Sequence, residues 1–203
     1  MRWLLKLFGR AEPSGPPPMK LVVGLGNPGR KYAGTRHNLG YEVAAELARR
    51  HATARPRERF RGEAVEADLQ GVRALLLTPT TYMNLSGASV LEARDFYKLA
   101  DSDLLVVCDD LSLPVGKLRF RASGSSGGQK GLEDIIRRLG TDRFPRLRIG
   151  IGSPPPGWDA ADYVLGRFSD EDKTVVREAL QRAADGAVLW AAEGVQTCMN
   201  RYN

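Results

Sequence analysis

The chain has two histidines, and one of them, His37, follows a glycine-rich stretch and precedes a helical pattern, a placement from which an imidazole could serve as a general base. Upstream of it, Leu21-Val-Val23 is an apolar run closed by glycine, the pattern of a short buried strand. Gly24 to Gly34 carries too much glycine, with Pro28 among it, for helix or ladder. Downstream, Leu39, Val43, Ala44 and Leu47 recur at helical spacing and predict a helix to about His51. His37 is thereby expected where a strand-following loop meets a helix N-terminus. Partial positive charge there disfavours imidazolium and leaves the ring neutral, the form a general base needs. A histidine is as readily a structural residue, so the chemistry requires a partner. Asp109-Asp110 closes a second apolar run, Leu104-Leu-Val-Val-Cys108, and in open α/β sheets functional groups gather at the carboxyl ends of strands. If the two strands are neighbours, Asp109 can accept a hydrogen bond from one ring nitrogen and leave the other basic. Whether Asp110 shares that contact stays open.

Other constellations fail on spacing. Gly24-Leu-Gly26-Asn-Pro-Gly29 fits G-x-G-x-x-G, but Pro28 removes a needed N–H and about ten residues of loop precede the helix. Gly124-Ser-Ser126-Gly-Gly128 fits the nucleophile elbow, yet both histidines come earlier in the chain and the helix waits until Gly131. A glycine-rich turn exposing backbone donors suits a phosphate or sugar oxygen equally well. Lys130 is misplaced for a P-loop, and Asp109-Asp110 has no third acid nearby to hold Mg²⁺. Two histidines and two scattered cysteines make no zinc site, so no metal or cofactor is expected.

Basic residues cluster late. Lys117, Arg119 and Arg121 are expected on one strand face, Arg146 and Arg148 on another, with Arg137, Arg138 and Arg143 between. Few acids interrupt the segment, which reads as a phosphate-tracking patch or as a solvated face. Tyr32 and Tyr82 fall on loops, placed to stack on a base or to fill the loops' own core.

The elements that must carry these groups alternate. After the first helix come a charged linker over Arg55–Arg61 and a hairpin, Phe60–Leu69 and Val72–Leu77, turning at Gln70-Gly71. A polar loop covers Thr78–Gly87 and a helix Ala88–Leu99. Strands are expected at Leu104–Cys108, Lys117–Arg121 and Arg146–Ile151, with a glycine-rich loop over Ser123–Gly131 and a helix to Leu139. Ser153–Trp158 is a proline loop and Asp170–Glu193 the last long helix. The fold class is α/β: one domain with a mixed, mostly parallel, twisted sheet flanked by helices. With 203 residues and 42% apolar content, a full core is within reach, and the net charge of +6 favours an anionic partner. Two cysteines build no disulfide framework; Cys108 reads as a buried reduced thiol and the chain as cytoplasmic. No apolar stretch approaches the ~20 residues of a membrane span. Residues 1–18, basic and apolar and then proline-rich, read as a disordered or dispensable extension, with the catalytic domain over 19–203.

Taken together, Gly24-Leu-Gly-Asn-Pro-Gly-x-x-Tyr32, Thr35-Arg-His-Asn-x-Gly40, Thr81-Tyr-Met-Asn-x-Ser-Gly87, Asp109-Asp-Leu-x-Leu-Pro114-x-Gly, Arg148-Ile-Gly-Ile-Gly152 and the closing Met199-Asn-Arg-Tyr-Asn203 resemble the bacterial-type peptidyl-tRNA hydrolases. The motifs stand in the family's order from Met19 to Asn203. The resemblance implies a monomeric α/β enzyme, with no cofactor, that cleaves the ester between a peptide and the terminal ribose of tRNA. It implies His37 as the base and Asp109 as the carboxylate that keeps it competent. Asn27 matches a position linked to preferring peptidyl-tRNA over aminoacyl-tRNA, and Tyr32, Tyr82 and Asn84 match substrate-contacting positions. Arg121 falls where the family carries a cation for tRNA phosphate; Lys117, Arg119 and Arg148 are assigned to the same surface. One departure stands out. The family's Gly-Gly-His-Asn-Gly loop is here Gly127-Gly-Gln-Lys-Gly131, so Gln129 replaces a histidine and Lys130 a substrate-contacting asparagine. Lysine donates and attracts phosphate but cannot accept as an amide can, so tRNA binding is expected to persist with an altered contact there. A silent relative that keeps only the RNA surface is the rival reading, and retention of His37, Asp109, Asn27 and Asn84 weighs against it.

Overall fold

A computed structural model describes residues 19–203; the reading of 1–18 lies outside the described residues. The chain runs β1 (Lys20–Gly24), α1 (Leu39–His51), β2 (Arg57–Arg59), β3 (Gly62–Asp68), β4 (Arg73–Pro79), α2 (Ser86–Tyr97), β5 (Leu104–Asp110), β6 (Leu118–Arg121), α3 (Lys130–Leu139), β7 (Arg146–Gly150), α4 (Ala160–Leu165), α5 (Asp170–Glu193) and α6 (Val195–Tyr202). The seven strands form one sheet in the order β2-β3-β4-β1-β5-β7-β6. Its four central strands, β4, β1, β5 and β7, are parallel; β2, β3 and β6 add antiparallel edges.

The central strands are buried on both faces, so period-two alternation divides them between two cores rather than between core and water. Val22, Leu76, Leu105 and Val107 face one apolar cluster, which α1 and α5 close. Leu21, Val23, Leu75, Leu77, Val106 and Cys108 face the other, beneath α2 and α3. That is why Leu21–Val23 and Leu104–Cys108 read as unbroken apolar runs.

Several expectations change. Arg57–Arg59 is a short edge strand paired to Gly62–Ala64 rather than a linker, and its charged residues suit an edge. β4 continues to Pro79, a 3₁₀ turn forms at Met83–Leu85, and α2 starts at Ser86. Helices α4 and α6 were not anticipated: α4 is only six residues long, and glycines flank both at Gly166 and Gly194, masking their periodicity. Helix α5 falls on its expected residues, and Ser169 caps it by accepting from the Asp172 N–H.

The first turn of α1 lies directly against the strand ends. A Cβ on Gly40 would stand 2.5 Å from the Leu25 carbonyl oxygen and closer still to Leu25 N and Val107 O. Only a residue without a side chain lets the helix start this close, and the residues just before it are thereby held over β1 and β5.

Candidate active site

β1 and β5 are neighbours in parallel register, Val23 opposite Val106 and Gly24 opposite Val107. The loop after β1 and the end of β5 therefore share one edge of the sheet. His37 occupies a 3₁₀ turn, Arg36–Asn38, that runs straight into α1. Arg36 secures that turn from the outside. Its guanidinium stacks over Tyr163 (4.1 Å) and Phe168 (5.2 Å), and its backbone N–H donates to Gly166 O. Helix α4, absent from the sequence reading, thus forms part of the support for the site.

His37 Nδ1 lies 2.8 Å from Asp109 Oδ2, with side-chain exposures of 11% and 3%. An ionised carboxylate only accepts, so the contact assigns the proton to Nδ1 and leaves the Nε2 lone pair free. Asp110 takes no part. Its Oδ1 accepts from the Ser112 N–H and hydroxyl, and its Oδ2 sits 2.9 Å from Arg148 Nε. Consecutive strand residues point to opposite faces, so only one of the two acids can reach the imidazole.

Asn27 lies beside this pair, buried. Its backbone N–H donates to Asn38 Oδ1, and Asn38 Nδ2 returns a bond to Asn27 O. The Asn27 Oδ1 accepts from the Met83 N–H at 2.9 Å, while its Nδ2 has no partner among the described residues. The carboxamide is thus pinned by its oxygen with two N–H donors to spare. Asn84 follows Met83 in the 3₁₀ turn and is exposed, as is Tyr82 at 55%. Tyr32 is half-buried in the loop after β1 with the Lys31 ammonium 4.7 Å over its ring, and that phenol raises the lysine's pKa. Lys130 opens α3 and turns its ammonium to Glu133, 2.9 Å away on the surface.

The cations divide differently from expectation. Arg119 lies opposite Arg148 and Arg121 opposite Arg146, so all four share one face of the sheet rather than two. The apolar cluster on that side contains no residue of β6 or β7; the arginines occupy the place. Arg146 is 1% exposed and is consumed by the carbonyls of Gly124, Ser125, Asp142 and Phe144, which fixes the glycine-rich loop. Arg148 is paired with Asp110, whereas Arg119 and Arg121 are half-buried at the edge. Lys117 precedes β6 and donates to Asn203 O at 3.1 Å, at the C-terminal end of the chain. Arg137 and Arg138 both engage the buried Asp134, which also accepts from the Gly87 N–H and so ties α3 to α2. Beside the loop, Ser125, Ser126, Thr141 and Arg143 border an open groove of about 580 Å³. A separate cavity of about 220 Å³ between α1 and β3–β4 contains none of these site residues.

Among the described residues no cluster of three metal-ligating side chains occurs, and no helix is long and apolar enough to cross a membrane. Both cysteines are free and buried, and burial pushes the Cys108 thiol up.

Sequence reasoning did not assign Gln129, Asn38 or the Met83 backbone to the site. Gln129 was visible only as a departure in Gly127–Gly131, and Asn38 only as the neighbour of His37.

This is the anatomy of a hydrolase: a carboxylate-paired imidazole at the carboxyl edge of a parallel sheet, with amide donors alongside. Residues 21–203 match the family model described as peptidyl-tRNA hydrolase. Peptidyl-tRNA hydrolases of Rhodopirellula baltica and Chloroflexus aggregans are 53% and 50% identical over 185 and 186 residues, which is 91% of this chain and 97% and 99% of theirs. The crystal structure of peptidyl-tRNA hydrolase from Acinetobacter baumannii superposes with a TM-score of 0.85 at 35% identity, covering 91% of this chain and 94% of that one. The chain belongs to the peptidyl-tRNA hydrolase family.

Proposed function

We propose that this enzyme hydrolyses the ester of peptidyl-tRNA with His37 as general base and Asp109 as the carboxylate that orients it. The observation that carries the reading is the 2.8 Å contact between His37 Nδ1 and Asp109 Oδ2, which leaves Nε2 basic. A water held by Nε2 gives it a proton while its oxygen attacks the ester carbonyl. The imidazolium is stabilised by Asp109 and returns the proton to the departing ribose oxygen, so the products are the free peptide acid and tRNA with its terminal hydroxyl restored. The two spare donors of Asn27 Nδ2 suit a peptide carbonyl or the developing oxyanion. Tyr32, Tyr82 and Asn84 line the approach, and Lys130 adds a cation at its rim.

Arg119, Arg121 and Arg148, on one face, take the phosphates of the tRNA, with Lys117 further along the same edge. Such contacts position a substrate whatever its sequence. His37 and Asp109 meet within one chain, so the reading is of action as a monomer that needs no second copy, and two free, buried cysteines suit the reducing cytosol.

Turnover of N-blocked aminoacyl-tRNA tests the assignment. His37→Ala should lower kcat by roughly 10²–10⁴-fold with tRNA binding retained; near-normal release of free tRNA would reject His37 as the base. Wild-type protein that binds tRNA without releasing peptide would instead favour a silent RNA-binding relative.

A further inference from the structure

We infer that Gln129 is a positioning residue of the reaction: its amide locks the Asp109 carboxylate so that Oδ2 alone faces His37. The inference rests on the reading of His37 as the base. Asp109 has two oxygens and two partners. Oδ2 takes His37 Nδ1, and Oδ1 accepts from Gln129 Nε2 at 3.1 Å. Without the second bond the carboxylate is free to turn about its Cβ–Cγ axis, and the imidazole direction turns with it.

The Gln129 amide cannot reverse. Its Oε1 accepts from the Leu132 N–H at 2.8 Å and so caps α3, while Nε2 also lies 3.3 Å from the Met83 sulfur. Reversal would set two N–H groups against each other at the helix end and two oxygens against each other at Asp109. One rigid helix terminus thereby dictates the orientation of the acid, and through it that of the base. Met83 joins this arrangement to Asn27, whose Oδ1 its backbone N–H holds. Gln129 supplies this hydrogen bond from a donor that carries no charge at any working pH.

Two roles of Gln129, capping α3 and holding Asp109, are separable by substitution. Gln129→Ser keeps a good helix cap but cannot reach Asp109. Gln129→Glu keeps the shape and the cap but replaces the donor with an acceptor beside a carboxylate. Both should lower kcat by roughly tenfold to hundredfold, the worth of a hydrogen bond to a charged group, with KM changed less than threefold. Gln129→His, which restores a donor, should recover most of the rate. Melting temperatures measured alongside identify folded variants, and the serine variant should melt at or above wild type. Wild-type kcat in folded Gln129→Ser and Gln129→Glu would overturn the inference; so would a rise in KM with kcat unchanged. His37→Ala run in parallel separates the two readings. If that variant is inactive while both Gln129 variants turn over normally, the base assignment stands and only the positioning role falls; if it remains active, the base assignment itself has failed.

Discussion

Replacing Gly40 by alanine should damage catalysis although the residue touches no substrate. The added Cβ would meet the Leu25 carbonyl oxygen at 2.5 Å, whereas real Cβ atoms essentially never approach closer than 3.0 Å. The atoms it meets, Leu25 N and O and Val107 O, are all backbone of the site's own floor, so no flexible side chain can yield. The start of α1 must lift by roughly 0.5 Å or more, and His37 stands three residues before Gly40 on the same rigid turn. A His37–Asp109 contact of 2.8 Å stretched by that amount lies at the long, weak end of the hydrogen-bond range. Misplacement by about 1 Å can cost 10²-fold in rate, so kcat should fall tenfold to hundredfold, roughly. Overpacking should also cost about 1–3 kcal/mol and lower Tm by roughly 2–12 °C. Saturating single-turnover release of tRNA, measured well below the variant's Tm, isolates the catalytic part. Val188→Ala, a buried change on α5, supplies a destabilised control that should keep its kcat. If Gly40→Ala matches wild type in kcat while folded, the close approach of α1 does not position the base and the reasoning is wrong.

Asp109→Asn should lose about 10²–10⁴ in kcat, because one carboxamide cannot accept from both Gln129 and His37; either the histidine takes the wrong tautomer or two donors collide, and ¹⁵N NMR of the imidazole would reveal which. Arg121→Ala should raise KM and flatten its salt dependence by about one phosphate contact while sparing kcat; a kcat defect alone would contradict the tRNA-phosphate role. The Arg49 and Arg50 guanidiniums hold Glu46 down to about 2, below its ordinary 4.5. A carboxylate depressed in the fold contributes stability above its unfolded pKa and loses it as pH falls through the folded one. Glu46→Gln should therefore melt below wild type near neutral pH, with the gap closing between pH 4.5 and about 2; a gap independent of pH would refute the ion-pair account.

Much of this enzyme was legible in one dimension. Apolar runs at Leu21–Val23 and Leu104–Cys108 announced buried parallel strands, because a strand covered on both faces has no polar alternation to show. Helical spacing from Leu39 placed His37 at a helix start, and the separated motifs carried the family and the pairing of His37 with Asp109. Three things were beyond it. Whether Asp110 joins Asp109 at the imidazole depends on which way each points at the end of β5 once β1 lies beside it. That Arg119, Arg121, Arg146 and Arg148 share a face, with Arg146 consumed by carbonyls and Arg148 beside Asp110, depends on the antiparallel register of β6 against β7. That Gln129 serves Asp109 depends on where the N-terminus of α3 docks, twenty residues along the chain from the acid it holds. Residue type and spacing determine which chemistry is available. Only the packed sheet decides which polar groups meet, because burial forces each one to find a partner, and for His37, Asp109 and Asn27 that partner lies far away in sequence.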